Sequence, residues 1–153
     1  MKAIAFDPGG TTGYAMYEDG RFYKHGELTG VHHLALYDLL RDWQRTGEGP
    51  YYVIYERFDN RNTDFASLVS LEYIGVIKMF AQANQYYGVP QGSAMAKDFV
   101  TNDKLKAVNW YVPYKQPHAL DATRHLFYWI INGSHMYDEY RDKLLQQLKV
   151  NLK

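Results

Sequence analysis

Near its N-terminus the chain carries an apolar run, Ala3-Ile4-Ala5-Phe6, that ends in Asp7 and runs straight into the turn Pro8-Gly9-Gly10-Thr11-Thr12-Gly13. A second apolar run, Tyr14-Ala15-Met16-Tyr17, follows at once. The pattern predicts strand, tight turn, strand, with a carboxylate held at the end of a buried strand. An ionised carboxylate taken out of water needs a cation or hydrogen-bond donors to meet it. A metal ion would meet it, and so would the backbone N–H groups of the glycines.

Two later segments place acids in the same way. Tyr51-Tyr52-Val53-Ile54-Tyr55 is a β-rich run that ends in Glu56, and His118-Ala119-Leu120-Asp121-Ala122 opens an apolar helical stretch that includes Leu126-Phe127-Tyr128-Trp129-Ile130-Ile131. Asp7, Glu56 and Asp121 thus each stand at the edge of a hydrophobic element. If the three elements are neighbours, the acids can converge on one divalent-metal site. Hard oxygen ligands of that kind suit Mg²⁺ or Mn²⁺.

A chain of 153 residues is the size of one ordinary domain and buries about 68–70% of its unfolded surface. With 46% hydrophobic and 22% charged residues it reads as globular rather than disordered. No apolar run approaches the length of a membrane span, and no signal peptide is expected ahead of the first strand. A cytoplasmic location is expected, in a bacterium or in the host if the chain is phage-encoded. The absence of cysteine excludes disulfides and thiolate-held zinc. Zero formal net charge argues against a protein that coats nucleic acid through charge alone, but not against a nuclease, whose acids are neutralised by metal ions. The 15 tyrosines are numerous enough to fill core and interface and still leave some to stack on bases.

The order of elements is legible. Residues 2–7, 12–18 and 21–28 read as a three-strand meander with Glu18-Asp19-Gly20 at the hairpin. From Val31 the period changes: Leu36, Leu39, Leu40 and Trp43 fall at helical spacing, and residues 46–50 stop that helix. Residues 51–56 form a fourth strand. A long helix is expected over 65–87, with Leu68, Leu71, Gly75, Val76 and Met79 on one face, ended by Gly88-Val89-Pro90. A short strand is expected near 91–95 and one or two short helices over 97–110. Pro117 suits the start of a helix that runs to Ile131, Asn132-Gly133 breaks it, and a last amphipathic helix spans 137–152. The alternation implies an α/β domain with a mixed sheet and helices on both faces.

The strand-end Asp of Asp7-Pro8-Gly9-Gly10-Thr11-Thr12-Gly13, the strand-end Glu56 and His118-x-x-Asp121 on a late helix resemble the RuvC-like Holliday junction resolvases of the ribonuclease H-like superfamily. The likeness is greatest to the phage-type branch, where segments similar to 96–106 and 118–125 recur. The resemblance covers most of residues 1–132. It implies a ribonuclease H-like nuclease domain over 1–132, with a five-stranded mixed sheet made of the antiparallel meander plus parallel strands, and a helical extension over 133–153. Actin-like and sugar-kinase folds open with a similar turn but need two such domains, for which this chain is too short. Many bacterial relatives carry four acids; here His118 takes the place of the first acid of the helical pair, as in some other relatives.

The resemblance further implies Mg²⁺, with Mn²⁺ also supporting activity, and no organic cofactor. Asp7 would bridge two ions, Glu56 and Asp121 would each complete one, and His118 would ligate the second ion or act on the attacking water. Two such ions can serve both the attacking and the leaving oxygen of a phosphodiester. His118 and Asp121, three residues apart, share a helix face. His125, four residues after Asp121, is expected to orient it or to pack. Each residue has a plainer reading beside this one: Asp7 as a turn cap, Glu56 as a surface acid, Asp121 as a first-turn helix acid, and His118 as an exposed helix-start histidine.

Candidate DNA contacts are Gly10 and Thr11 in the turn, Arg57, Phe58 and Arg61 after Glu56, and Lys97, Lys104 and Lys106. The segment 91–115 sets four lysines against two aspartates, with Trp110, Tyr111 and Tyr114 interleaved. Basic and aromatic residues together suit a branched-DNA surface; a solvated helix with core aromatics is the plainer alternative. Resolvases of this kind act as symmetric dimers, so a homodimer is expected, with the 65–87 helix as interface, although core packing explains its apolar face equally well. The function expected is metal-dependent, structure-selective cleavage of four-way and related branched DNA. A ribonuclease H-like nuclease for RNA in hybrids or for DNA packaging, and a non-catalytic branched-DNA binding module, are the alternatives.

Overall fold

A computed structural model of the chain describes residues 1–45, 50–58, 65–113, 115–133 and 139–152. Its elements are β1 (Lys2–Asp7), β2 (Thr11–Glu18), β3 (Arg21–Thr29), α1 (His33–Gln44), β4 (Tyr51–Glu56), α2 (Phe65–Ala83), β5 (Tyr87–Gln91), α3 (Ser93–Phe99), α4 (Asn102–Ala107), α5 (Pro117–Asn132) and α6 (Glu139–Asn151). The five strands form one sheet in the order β3-β2-β1-β4-β5. β1 to β3 are an antiparallel meander, while β4 lies parallel to β1 and β5 parallel to β4. Fold class and element order are as the sequence predicts.

Alternation along the strands sends side chains to two separate cores. Ile4, Phe6, Met16, Val53 and Tyr55 pack under α1 and α2 with Leu36, Leu40, Tyr73, Ile77 and Phe80. On the other face Ala3, Ala5 and Ala15 offer small side chains, and α5 lies over them with Leu126, Phe127 and Ile130 fully buried. Each such large apolar side chain contributes about 1.5–3 kcal/mol on burial. Gly13 marks the tightest approach: a Cβ there would sit 2.0 Å from the His118 carbonyl oxygen. Small residues on β1 and β2 thus bring the start of α5 down onto the edge of the sheet at which β1 ends.

Two expectations are corrected. α2 ends at Ala83 rather than 87. Gln85 turns the backbone left-handed at φ +57, and the Tyr86 amide reaches back to the Ala81 carbonyl at 2.8 Å, which closes the helix early. Gly88-Val89-Pro90 lies inside β5 instead of ending a helix, so the fifth strand falls at 87–91 and not near 91–95. Proline is tolerated there because β5 is an edge strand. Of the two readings of the apolar face of α2, core packing does not hold for Leu68, Leu71 and Met79, which are 52%, 42% and 57% exposed, while Tyr73, Ile74, Ile77 and Phe80 face the core. On the opposite side of the sheet α6 packs on α4 and α5, burying Leu144. Among the described residues no helix is long and apolar enough to cross a membrane.

Candidate active site

β1 and β4 are parallel neighbours with Phe6 level with Tyr55. Their next residues, Asp7 and Glu56, therefore end adjacent strands at the same edge of the sheet. α5 starts at that edge because Gly13 admits it, and Glu27 on β3 fixes its first turn. One carboxylate oxygen of Glu27 accepts from the His118 and Ala119 amides at 2.8 and 3.2 Å. This is a helix N-cap supplied from a distant strand, using amides that the helix itself leaves unbonded.

Held in this way, α5 presents His118, Asp121 and His125 toward the strand ends. His118 Nδ1 lies 2.9 Å from Asp7 Oδ2. His125 is fully buried; its Nε2 lies 3.0 Å from Glu56 Oε2 and its Nδ1 2.9 Å from Gln91 Oε1. The sequence reading that His125 orients Asp121 is therefore corrected: one further helical turn carries its ring to Glu56 instead. Asp121 is held by Lys97 of α3, with Nζ 2.9 Å from Oδ2, and by the Arg124 guanidinium. The same Lys97 ammonium is 3.7 Å from Glu56 Oε2, so one cation stands between acids of two elements. Arg124 also donates to Asn102 Oδ1 at 2.8 Å, tying α5 to the start of α4.

The electrostatics follow from this crowding. Burial pushes the Asp7 carboxyl up to about 6, with Glu56 and Asp121 pushing the same way against the His118 hydrogen bond and the Lys97 charge. Burial also pushes Glu56 up, but the His125 hydrogen bond and the Lys97 charge outweigh it and leave Glu56 below its ordinary range. Burial pulls Lys97 down, and the carboxylates of Asp121, Glu56 and Asp7 more than reverse this.

Among the described residues no three acid or imidazole side chains are gathered tightly enough to ligate one ion. The chemistry of the donors nevertheless fits a hard divalent cation. The three carboxylates share one edge of the sheet, a lysine ammonium already occupies the position of a cation between two of them, and burial holds the Asp7 carboxyl above its ordinary range. Beside them opens a cleft of about 450 Å³, lined among others by Pro8, Glu56, Arg57, Phe58, Ile74 and Met95.

The other candidates divide. Gly10 is exposed and Thr11 half-buried in the turn beside Asp7, and Arg57 is exposed at the cleft. Phe58 packs against the α1–α2 core. Arg61 and Tyr114 lie outside the described residues. Lys104 donates to the Phe99 carbonyl at 2.6 Å and lies 4.1 Å over the Phe99 ring; Lys106 pairs with Asp103 at 3.8 Å and lies 5.2 Å from the Tyr111 ring. Trp110 is core, stacked on Phe22 and edge-on to Phe127, which corrects its reading as a surface aromatic. The sequence reading missed Glu27, Gln91 and Arg124. Arg124, three residues after Asp121 on one helix face, could have been found from spacing; the other two carry no local signal.

No protein-family model matches the chain, and no curated protein sequence matches it. Solved structures do. The architecture is that of the ribonuclease H-like fold. Within that class the chain is similar to RuvC of Thermus thermophilus in complex with a Holliday junction substrate, with TM-score 0.60 and 14% identity over 82% of this chain and 89% of that one. It is similar to the same degree to the Thermus thermophilus RuvC structure, over 88% of this chain and 98% of that one. The chain therefore shares the fold of these structures.

Proposed function

We propose that this chain is a metal-dependent, structure-selective DNA endonuclease that resolves four-way and related branched junctions. The observation that carries the proposal is the meeting of Asp7, Glu56 and Asp121, from β1, β4 and α5, at one edge of a RuvC-like sheet with a lysine among them. Asp7, Glu56 and Asp121 would hold Mg²⁺ or Mn²⁺, with His118 beside Asp7 as a further ligand. Bound there, the ions would activate water and offset charge on the phosphoryl group.

The remaining steps belong to the chain itself. His125 and Gln91 fix the orientation of Glu56, and Glu27 fixes the start of the helix that carries His118 and Asp121. Neutral His118 can take a proton through the nitrogen not bonded to Asp7. Lys97 can pass from the carboxylates to a DNA phosphate, where a compact ammonium serves as a point charge. The exposed Leu68, Leu71 and Met79 of α2 supply an apolar surface for pairing with a second copy, which would match two equivalent strands with two sites. Phage origin is part of the same reading.

The test is cleavage of a labelled four-way junction beside a linear duplex, with Mg²⁺, Mn²⁺ or chelator. Paired metal-dependent nicks near the crossover, absent from the duplex, are expected. A second reading, a non-catalytic branched-DNA binding module, is favoured by one observation: Lys97 and Arg124 already pair with the acids. Junction binding without cleavage under any metal would select it.

A further inference from the structure

Thr12 is fully buried on β2, at the end of the turn that follows Asp7. Its hydroxyl oxygen lies 3.2 Å from the Gly9 amide nitrogen, 3.1 Å from the Gly9 carbonyl and 2.8 Å from His32 Nε2. His32, just before α1, is buried, and its Nδ1 faces the Gly30 carbonyl. Burial lowers the His32 pKa and keeps the ring neutral, and a carbonyl only accepts, so Nδ1 carries the single ring proton and Nε2 accepts. The Thr12 hydroxyl is the donor at hand. With its proton on Nε2, the Thr12 oxygen accepts the Gly9 N–H. The chain of bonds then has one direction: Gly9 N–H to Thr12, Thr12 O–H to His32, His32 Nδ1–H to Gly30.

The other side of the ring is equally determined. His32 stacks on Tyr73 of α2 with centroids 3.9 Å apart and planes 8° from parallel. The Tyr73 hydroxyl accepts from the His32 amide and donates to the Gly30 carbonyl, both at 3.3 Å. Gly30 itself is in the left-handed region at φ +72, which glycine adopts without strain. An apolar ring would fill this space and stack as well. It would not accept from Thr12, and the hydroxyl would turn its proton to the Gly9 carbonyl at 3.1 Å.

We propose that His32 is a positioning residue for the Asp7 site: through Thr12 it fixes the Gly9 amide and so sets the path by which the turn leaves Asp7. This rests on the nuclease reading above. It also links the turn to α2, whose outward face is the proposed pairing surface, through the Tyr73 stack.

The experiment compares full-length Thr12→Val, Thr12→Ser, His32→Phe and the Thr12→Val/His32→Phe double variant. His32→Phe keeps the stack and loses both ring bonds; Thr12→Val keeps the shape and loses the hydroxyl. Junction affinity in chelator, kcat, and the rise in Tm caused by Mn²⁺ are measured. Each of the two losses should lower kcat about tenfold and shrink the Mn²⁺-induced rise, with junction affinity within about twofold. The double variant should be no slower than the slower single, because the two residues act as one unit, and Thr12→Ser should restore activity. Unchanged kcat and Mn²⁺ response in Thr12→Val would overturn the proposal, as would losses that multiply in the double variant. If His32→Phe does not fold, the Thr12→Val and Thr12→Ser pair carries the test. A wild type that shows the Mn²⁺ rise but never cleaves would end the nuclease reading, while loss of that rise in Thr12→Val and its return in Thr12→Ser would still support positioning.

Discussion

The central strand β1 carries an ionisable residue at each end, Lys2 and Asp7, and both are largely shielded from water. Their surroundings are opposite in kind. The Lys2 ammonium donates to the Trp43 carbonyl at 2.8 Å, pairs with Glu18 at 3.7 Å and lies near the Trp43 and Tyr51 rings. Burial pulls its pKa down, and Glu18 and Asp19 work against that and favour its charge. Asp7 is pushed up to about 6 by burial, and two of its charged neighbours, Glu56 and Asp121, push the same way. A buried charge with partners of opposite sign is a structural device. A buried charge crowded by others of its own sign is held against its electrostatics by the fold, and such crowding is characteristic of functional sites.

The largest expected effect breaks the comparison at its functional end. Asp7→Asn should lower metal-dependent junction cleavage by more than about 10³-fold, since it removes one of the carboxylates that would hold the metal. Junction affinity measured in chelator should stay within a few-fold. Cleavage at the wild-type rate would mean that the crowding at Asp7 has no catalytic purpose.

A smaller effect tests whether Lys97 stands in for a cation. Lys97→Met leaves Asp121 with Arg124 and leaves Glu56 with His125. Divalent ions should then raise Tm further than they do in wild type, because they no longer compete with the ammonium. Cleavage at saturating metal should fall about tenfold, through loss of a point charge able to meet a phosphate. An unchanged Mn²⁺ response would show that Lys97 does not compete for the acids.

The structural end of β1 should respond in stability alone. Lys2→Met removes the donor to Trp43 and the partner of Glu18 while keeping an apolar stem, and should cost about 1–2 kcal/mol in denaturant unfolding. Cleavage per folded molecule should not change. A selective loss of cleavage would mean that the two ends of the strand are coupled.

What the sequence disclosed of this site follows the range of the forces involved. Asp7, Glu56 and Asp121 could be picked out because each is an acid at the edge of an apolar run, a local signal. The meander, the mixed sheet and the start of α5 at Pro117 were local as well. Glu27 was not legible: it caps α5 across 91 residues, and only the folded sheet brings β3 to the helix start. Gln91 was hidden because Gly88-Val89-Pro90 reads as a helix stop until β4 is there to pair with it. His125 was expected to serve Asp121, its neighbour in sequence; the side chain reaches the neighbouring strand's acid instead. Sequence alone could not choose between core and interface for the apolar face of α2, because periodicity shows that such a face exists, not which layer lies against it.

The smallest effect sharpens the comparison by its sign. The folded pKa of Asp7 lies near 6 against 3.8 for the unconstrained group. A group raised on folding adds stability that is complete below its unfolded pKa and is lost as pH rises through the folded one. Without metal, wild type should therefore carry a penalty at pH 7.5 that Asp7→Asn, which cannot ionise, does not. The variant should melt higher there by a few degrees, on the order of 1 kcal/mol. As pH falls through 6 toward 4 the difference should close, because Asp7 becomes protonated and resembles the amide. Glu56, which is lowered on folding, has the opposite pH dependence, but it is present in both proteins and cancels to first order in the difference. A variant that melts lower than wild type at pH 7.5 would mean that Asp7 is favourably paired through His118 after all, and the contrast between the two ends of β1 would collapse.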